Sequence, residues 1–266
     1  MSGHGGNRQQ RVPFRLTQTG EGTIFLAMRR LSVLAAAAAA TLLLGSCSIR
    51  QEVHLEPSGS GTVTMRITLQ KLFMDYIADL SELSGKQNSG EVFDIESIKK
   101  GFAERSDVEL KRIATPTPDV LEMDLAFRSI EQIFTGQQKL QGPVIVTLTK
   151  AGDSQTLRFH LDRENFAQVT EFLPFLKGPL FEGLGPQEGD NTTEAEYLEL
   201  MDLALGAGGA AALKASVIET QISVKGKVVS QTGGTVAANG SSVTYKVPLI
   251  RVLLLDKPLD YSLTFK

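Results

Sequence analysis

The chain has 266 residues, a formal net charge of −3, 42% hydrophobic residues, no Trp and a single cysteine, Cys47. An acidic balance argues against nucleic acid as a partner, because phosphate binding needs clustered cations. One cysteine excludes an internal disulfide, so the fold must rest on packing, and the length suffices for a full core in one domain or two small ones.

Residues 1–27 are polar and turn-rich and show no periodicity. They read as a non-native or unstructured leader before a true start at Met28, or as a long n-region that is removed. From Met28 the pattern sharpens. Arg29 and Arg30 precede the uncharged run LSVLAAAAAATLLLG (31–45). At about 1.5 Å per residue this run spans roughly 22 Å, short of the ~30 Å hydrocarbon core. Cations, a short apolar core and a small-residue exit define a secretory signal over 28–46 rather than a spanning helix.

The end of that run, Leu44-Gly45-Ser46-Cys47, resembles the lipobox of bacterial lipoproteins. The resemblance implies diacylglycerol on the Cys47 sulfur, cleavage between Ser46 and Cys47, and acylation (a palmitate-type chain) of the new amine. Two or more acyl chains anchor a protein stably. Arg-Arg followed by Leu-Ser is a poor twin-arginine signal, so ordinary export is expected. Ser48 stands where an Asp would retain a lipoprotein at the cytoplasmic membrane in Gram-negative bacteria. By that likeness the cell envelope is the expected location, the outer membrane ahead of the cytoplasmic one. Removal of 1–46 takes five basic residues and one acidic residue from totals of 27 and 30, leaving 22 and 29, a net of −7 for an ectodomain over 47–266.

In the ectodomain, VHLEPSGSGTVTMRITL (53–69) has period-two alternation on either side of a Gly/Ser turn and predicts a β-hairpin. The spacing of Leu72, Phe73, Tyr76, Ile77, Leu80 and Leu83 predicts a helix over 71–85, with Asp75 and Asp79 on its solvated side. Asp94 is a candidate cap for a second helix, 94–107. Strands follow at 108–114 and 119–127, parted by a turn at 115–119 because Pro116 and Pro118 cannot feed a ladder. A short helix at 129–135 leads to a hairpin at 143–162 that turns at Ala151-Gly152-Asp153.

RENFAQVTEFLPFLKGPLFEGLG (163–185) is apolar on more than one side and is broken by Pro174, Gly178 and Pro179. Phe172, Phe175, Leu176 and Phe181 are its candidate lipid contacts; the alternative is a segment that covers the sheet. An acidic connector enters a further helix near 193–214, softened by the Gly/Ala run 206–212. The tail offers strands near 217–230, 242–247 and 260–265, with Asn239-Gly240 as a hairpin signal. Recurrent hairpins with inserted helices predict an α+β fold, an antiparallel sheet with helices packed on one face.

Two stretches, VHLEPSGSGTVTMRITL directly after the lipid cysteine and GKVVSQTGGTVAANGSSVTYKVPLIRVL (226–253) followed by YSLTF (261–265), are similar to the ectodomains of LppM-type lipoproteins. The resemblance implies a lipid-anchored α+β domain that binds a ligand or a lipid surface.

Chemistry-bearing motifs are scarce. His54 and His160 stand on predicted strands, outside any HExxH or Cys-containing pattern, and there is no Gly-x-Ser-x-Gly. DNTTE (190–194) lacks the alternating oxygens of a calcium loop. The expectation is a protein that is not an enzyme, with no catalytic residues, metal or cofactor. It would act as a binding or envelope-interaction module whose partner is the membrane, through Cys47, together with a lipid or envelope-protein ligand. The alternative is a lipid-binding or membrane-inserting protein that uses 163–185 and 193–214. An apolar cavity between sheet and helices would favour lipid; a filled core would favour a protein partner.

Overall fold

A computed structural model describes residues 48–83, 92–135, 143–172, 184–186 and 192–266. These all fall within one compact unit, Gly45–Lys266, distinct from Met1–Leu44. Within the unit, eleven strands form two sheets, accompanied by seven helices among the described residues. The class is α+β.

The first hairpin forms as expected: β1 (Ser48–Leu55) runs antiparallel to β2 (Gly61–Thr68) around the Gly/Ser turn. Helix α1 (Lys71–Leu83) follows and buries Phe73. Helix α2 (Ile95–Ala103) is capped by Asp94, whose carboxylate accepts from the Ser97 N–H at 2.9 Å. It stops earlier than the expected 107. Past it, Arg105 turns inward to pair with buried Asp107 and donates to the Ile133 carbonyl at 2.6 Å. Strand β3 (Val108–Thr117) then pairs with β4 (Val120–Phe127). The expected turn at 115–119 shrinks to residues 118–119. Pro116 is tolerated in β3 because β3 is an edge strand and its ladder shifts between Ala114 and Thr117.

Helix α3 (Gln132–Thr135), the hairpin of β5 (Val146–Ala151) and β6 (Ser154–Leu161), and α4 (Phe166–Phe172) come next. The expected helix near 193–214 is two helices, α5 (Glu194–Leu205) and α6 (Gly209–Ala215). Thr193 closes a capping box with Glu196 at the start of α5, and the glycine run divides the pair. The expected strand 217–230 is likewise two, β7 (Val217–Val224) and β8 (Val228–Thr232). The tail adds β9 (Gly234–Val236), β10 (Ser242–Pro248), an unforeseen helix α7 (Leu249–Leu254), and β11 (Leu259–Phe265).

Sheet order is β3-β4-β2-β1-β7-β10-β9 in the larger sheet and β5-β6-β11-β8 in the smaller. Two features depart from the expected single antiparallel sheet under helices. First, β1 and β7 are parallel, Ser48 opposite Val217 and Leu55 opposite Val224. A parallel pair needs a long crossover, and everything from β2 to α6 lies between its strands. Second, one apolar cluster joins the inner faces of both sheets (Val53, Met65, Leu121 and Met123 with Leu157, Leu259 and Leu263), so the larger sheet is covered chiefly by a second sheet. A separate cluster of Phe73, Leu184, Tyr197, Leu198, Met201, Leu213, Ile250 and Leu253 holds α1, α5, α6 and α7 together.

The register places that helical cluster. Ser48 faces Thr68 and Val217, and Val217 faces Pro248. So α1 leaves the sheet, α6 enters it and α7 leaves it at one end, the end where β1 begins.

Between the sheets the chain crosses at glycines. After β7 it passes Gly226 (φ +135) into β8 of the smaller sheet, where Lys227 exchanges both backbone hydrogen bonds with Lys266 (2.8 and 3.0 Å). A Cβ at Gly226 would collide with the Lys266 carbonyl. Gly226→Ala is therefore expected to destabilise the unit by about 2 kcal/mol or more, the strain of an unfavourable φ plus the displaced ladder. Leu213→Ala, at a site with no exposed surface, should cost about 2–5 kcal/mol through the cavity it leaves. Urea unfolding of residues 45–266 measures both.

Candidate functional site: an apolar cavity between the sheets

The parallel and antiparallel registers set the inner-facing side chains of β1, β7 and β10 in rows. Val53, Ile222 and Val243 make one row, Gln51, Thr220 and Tyr245 the next, and Ile49, Ile218 and Val247 the row nearest the end where β1 begins. Exposure rises along these rows. Leu55 is 2% exposed and Val53 8%, whereas Gln51 and Ile49 are half-buried; Val243 is fully buried and Tyr245 5% exposed, whereas Val247 is half-buried. Opposite them stand Leu157, Phe159 and Leu161 of β6 and Leu259, Tyr261 and Leu263 of β11. The two inner faces do not meet everywhere. They leave a cavity of about 250 Å³, walled also by Val252 of α7, Val169 of α4 and Phe134 of α3. Genuinely apolar cavities stay dry and accept apolar guests.

Two polar side chains of this wall have partners at hand. The Thr220 hydroxyl donates to Gln51 Oε1 at 3.2 Å, and the Tyr245 hydroxyl donates to the Ser262 carbonyl at 3.1 Å. Tyr245 and Tyr261 meet edge to face with centroids 5.3 Å apart, and Phe159 lies 6.2 Å from Tyr261. Burial pushes the Tyr245 phenol up to about 12. It raises Tyr261 as well, while the Arg251 guanidinium draws Tyr261 the other way. Both phenols are neutral at physiological pH, so the wall carries no charge.

Gly233 and Gly234 make this corner. The chain returns there from β8 to β9, from the smaller sheet to the larger. A Cβ on Gly233 (φ +81) would strike the Tyr261 ring, and one on Gly234 would strike Val243 and the Tyr245 ring. The glycine pair lets the backbone lie directly on the two tyrosines.

His160 sits on the opposite face of β6, between Leu161 and Phe159, whose side chains line the cavity. Its Nδ1 lies 2.7 Å from an Asp260 oxygen and its Nε2 3.0 Å from an Asp162 oxygen. Below it, Asn165 is fully buried: its amide donates to the His160 carbonyl at 2.9 Å, and its side-chain oxygen accepts from the Asp162 N–H at 2.9 Å. The cluster closes the end of β6 onto α4. Among the described residues no group of three or more His, Cys, Asp or Glu is set to hold a metal ion. His54 is exposed on β1, and Asp75 pairs with Lys71 at 2.6 Å on the solvated side of α1.

Of the residues singled out from sequence, Ser46, Cys47, Phe175, Leu176 and Phe181 lie outside the described residues. Phe172 ends α4, its side chain also outside what is described. Segment 193–214 buries Tyr197, Leu198, Met201 and Leu205 yet leaves Leu200 51% and Leu203 83% exposed. No described helix is long and apolar enough to cross a membrane. The cavity residues themselves, Thr220, Ile222, Tyr245, Val247, Val252 and Tyr261, were not singled out. Alternation marks most of them as inward-facing, but only the pairing of two sheets brings them to one space.

No family model matches the chain, and no curated protein matches it. Among solved structures, the NMR structure of the folded domain of the Mycobacterium tuberculosis LppM protein is similar, at 9% identity and a TM-score of 0.36, over 84% of this chain and 90% of that one.

Asp260 and Asp162 hold His160 above its ordinary imidazole range. A raised folded-state value gives stability that is fully present below the unfolded value of about 6.5 and is lost as pH rises through the folded value. The melting-temperature advantage of the native unit over His160→Gln is therefore expected to be larger at pH 5.5 than at pH 8.5. Asp260→Asn should flatten that difference.

Proposed function

We propose that this protein is a non-enzymatic, lipid-anchored binding module of the bacterial envelope, whose ligand is an acyl chain received in the cavity between the two sheets. The observation that carries the reading is that cavity: about 250 Å³, aliphatic and aromatic, with the Thr220 and Tyr245 hydroxyls turned to partners of their own. A well-formed apolar pocket is the default binding site of an uncharacterised domain. An apolar cavity of about 150 Å³ holds benzene, so one of this size has room for roughly ten carbon atoms. That is one segment of a single chain, not a whole phospholipid.

Placement supports the same reading. The rows of increasing exposure lead toward the end of the sheet where β1 begins, and β1 begins at Ser48, one residue after Cys47. With acyl groups on Cys47, that end is tethered at the bilayer, and an acyl chain passing between membrane and cavity has a short path. The lipobox-like Leu44-Gly45-Ser46-Cys47 and Ser48 support export and envelope attachment, the outer membrane ahead of the cytoplasmic one. The net of −7 over 47–266 speaks against capture of anionic membrane surfaces by charge alone.

The test uses residues 45–266 carrying Cys47→Ser, the compact unit that contains both apolar clusters, and the hydrophobic fluorophore N-phenyl-1-naphthylamine. Saturable binding at one site is expected. Ile222→Trp, which fills the cavity, should abolish it while leaving the melting temperature unchanged or raised, as cavity-filling changes commonly do. Absence of saturable binding, or equal binding by a folded Ile222→Trp, contradicts the reading.

A further inference from the structure

Five of the residues that wall the cavity have polar side chains, Gln51, Thr220, Tyr245, Tyr261 and Ser262, and no residue of the wall is charged. Three of the five have a partner for the hydroxyl. Thr220 donates to Gln51 Oε1, Tyr245 donates to the Ser262 carbonyl, and the Ser262 hydroxyl pairs with that of Thr232 at 3.1 Å. The Gln51 amide nitrogen and the Tyr261 hydroxyl have no hydrogen-bond partner among the described residues. The registers show why the amide is left over. Gln51 stands between Met65 of β2 and Thr220 of β7. Its oxygen turns to Thr220, and on the other side Met65 offers only a thioether, a weak acceptor. The flanking rows, about 7 Å apart from one to the next plus one on each side, are aliphatic throughout: one runs through Val53 and Ile222, the other through Ile49 and Ile218. The inner face thus presents one row with a free donor between two rows with none.

A purely apolar guest in this space strands the Gln51 N–H groups, and a donor taken from water without a partner costs more than a typical hydrogen bond returns. An ionised head group in the same place loses its hydration and meets no opposite charge on the wall. A neutral acceptor avoids both. Resting on the cavity reading above, we infer that the chain enters as an acyl ester, its neutral carbonyl accepting from Gln51 Nε2 and aliphatic carbon lying against the flanking row on either side. Gln51 is then the residue that sets specificity: it favours an esterified chain over a hydrocarbon of the same shape, and the uncharged wall keeps the carboxylate of a free fatty acid away from it. Sites built to hydrogen-bond a ligand group discriminate against analogues that lack it, because their own polar atoms are left unpaired.

The experiment measures binding to residues 45–266 carrying Cys47→Ser by displacement of N-phenyl-1-naphthylamine. The probes are butyl pentanoate, dibutyl ketone, the alkene in which =CH₂ replaces the ketone oxygen, and nonanoate. Gln51→Leu should weaken the ketone relative to its alkene isostere by roughly fivefold, the size of one neutral hydrogen bond, without weakening the alkene. Butyl pentanoate should follow the ketone. Nonanoate, its charge outside the wall, should bind Gln51→Leu as well as it binds the native unit. Thr220→Val removes a hydroxyl but not the amide, and Tyr261→Phe removes the other free donor; both should keep the ratio of ketone to alkene. Should Gln51→Leu not fold, Gln51→Leu with Thr220→Val strands no hydroxyl, and its comparison with Thr220→Val alone gives the same reading. An unchanged ratio in the Gln51 variant, a loss confined to Tyr261→Phe, or nonanoate falling together with the ketone overturns the assignment while leaving the cavity reading intact. Failure of every probe, the alkene included, removes the cavity reading and this inference with it.

Discussion

Everything in this domain depends on the pairing of two apolar sheet faces. The larger sheet exposes charged residues on its outer side, where Arg66 and Arg112 share Glu122 and Lys246 meets Glu219. Its inner side is a field of Val, Ile, Leu, Met and Phe that must be hidden from water. The smaller sheet supplies most of that cover. Because β8 belongs to one sheet while β7 and β9 belong to the other, the chain stitches the two together within a few residues, at Gly226 and at Gly233. Side chains at those two points would press on the Lys266 carbonyl and on the Tyr261 ring.

The cover is incomplete. Leu55 and Val243 are buried, while the cavity is lined from Phe127 and Val53 through Thr220 to Ile218 and Val247. Packing energy alone would favour filling that space, since interiors ordinarily reach crystal-like density. A void lined by aliphatic and aromatic groups costs stability through the contacts its walls forgo. Tyr245 and Tyr261 line the space, and burial raises both phenols so that they stay neutral there. The helical cluster completes the end of the sandwich where β1 begins, and brings Val252 to the wall.

Much of the fold was legible in the residues. Period-two alternation around Pro57-Ser58-Gly59-Ser60 gave β1 and β2, the spacing from Leu72 to Leu83 gave α1, and Asp94 and Asn239-Gly240 marked a cap and a turn that the structure contains. The misses share one cause. Local patterns report which way a side chain points, not which surface it meets. Gly226 sits inside a long apolar alternation, so 217–230 reads as one strand until the two halves join different sheets. Pro116 reads as a breaker because its edge position is a tertiary fact. The short helix 249–254, LIRVLL, is too apolar and too brief to be told from strand by periodicity. His160 and Asp162 are two apart on a strand, which hints that they share a side, but Asp260 arrives only through the β6–β11 register. For the site, the sequence directed attention to Phe172 and its neighbours, conspicuous as exposed-looking aromatics. The cavity draws two to four residues from each of β1, β7, β10, β6 and β11, none of them unusual alone.

The central claim is that an alkyl chain enters the space between the sheets. Methyl-labelled NMR of residues 45–266 carrying Cys47→Ser, titrated with decanoate, addresses it most directly. Intermolecular contacts from the chain should reach the methyls of Ile218, Ile222, Val247 and Val252, while those of Leu203 and Val229, exposed and not part of the cavity wall, stay unshifted. Contacts confined to Leu200, Leu203 or Val229, with the inner methyls undisturbed, would contradict the account and leave the cavity an unfilled gap in the packing.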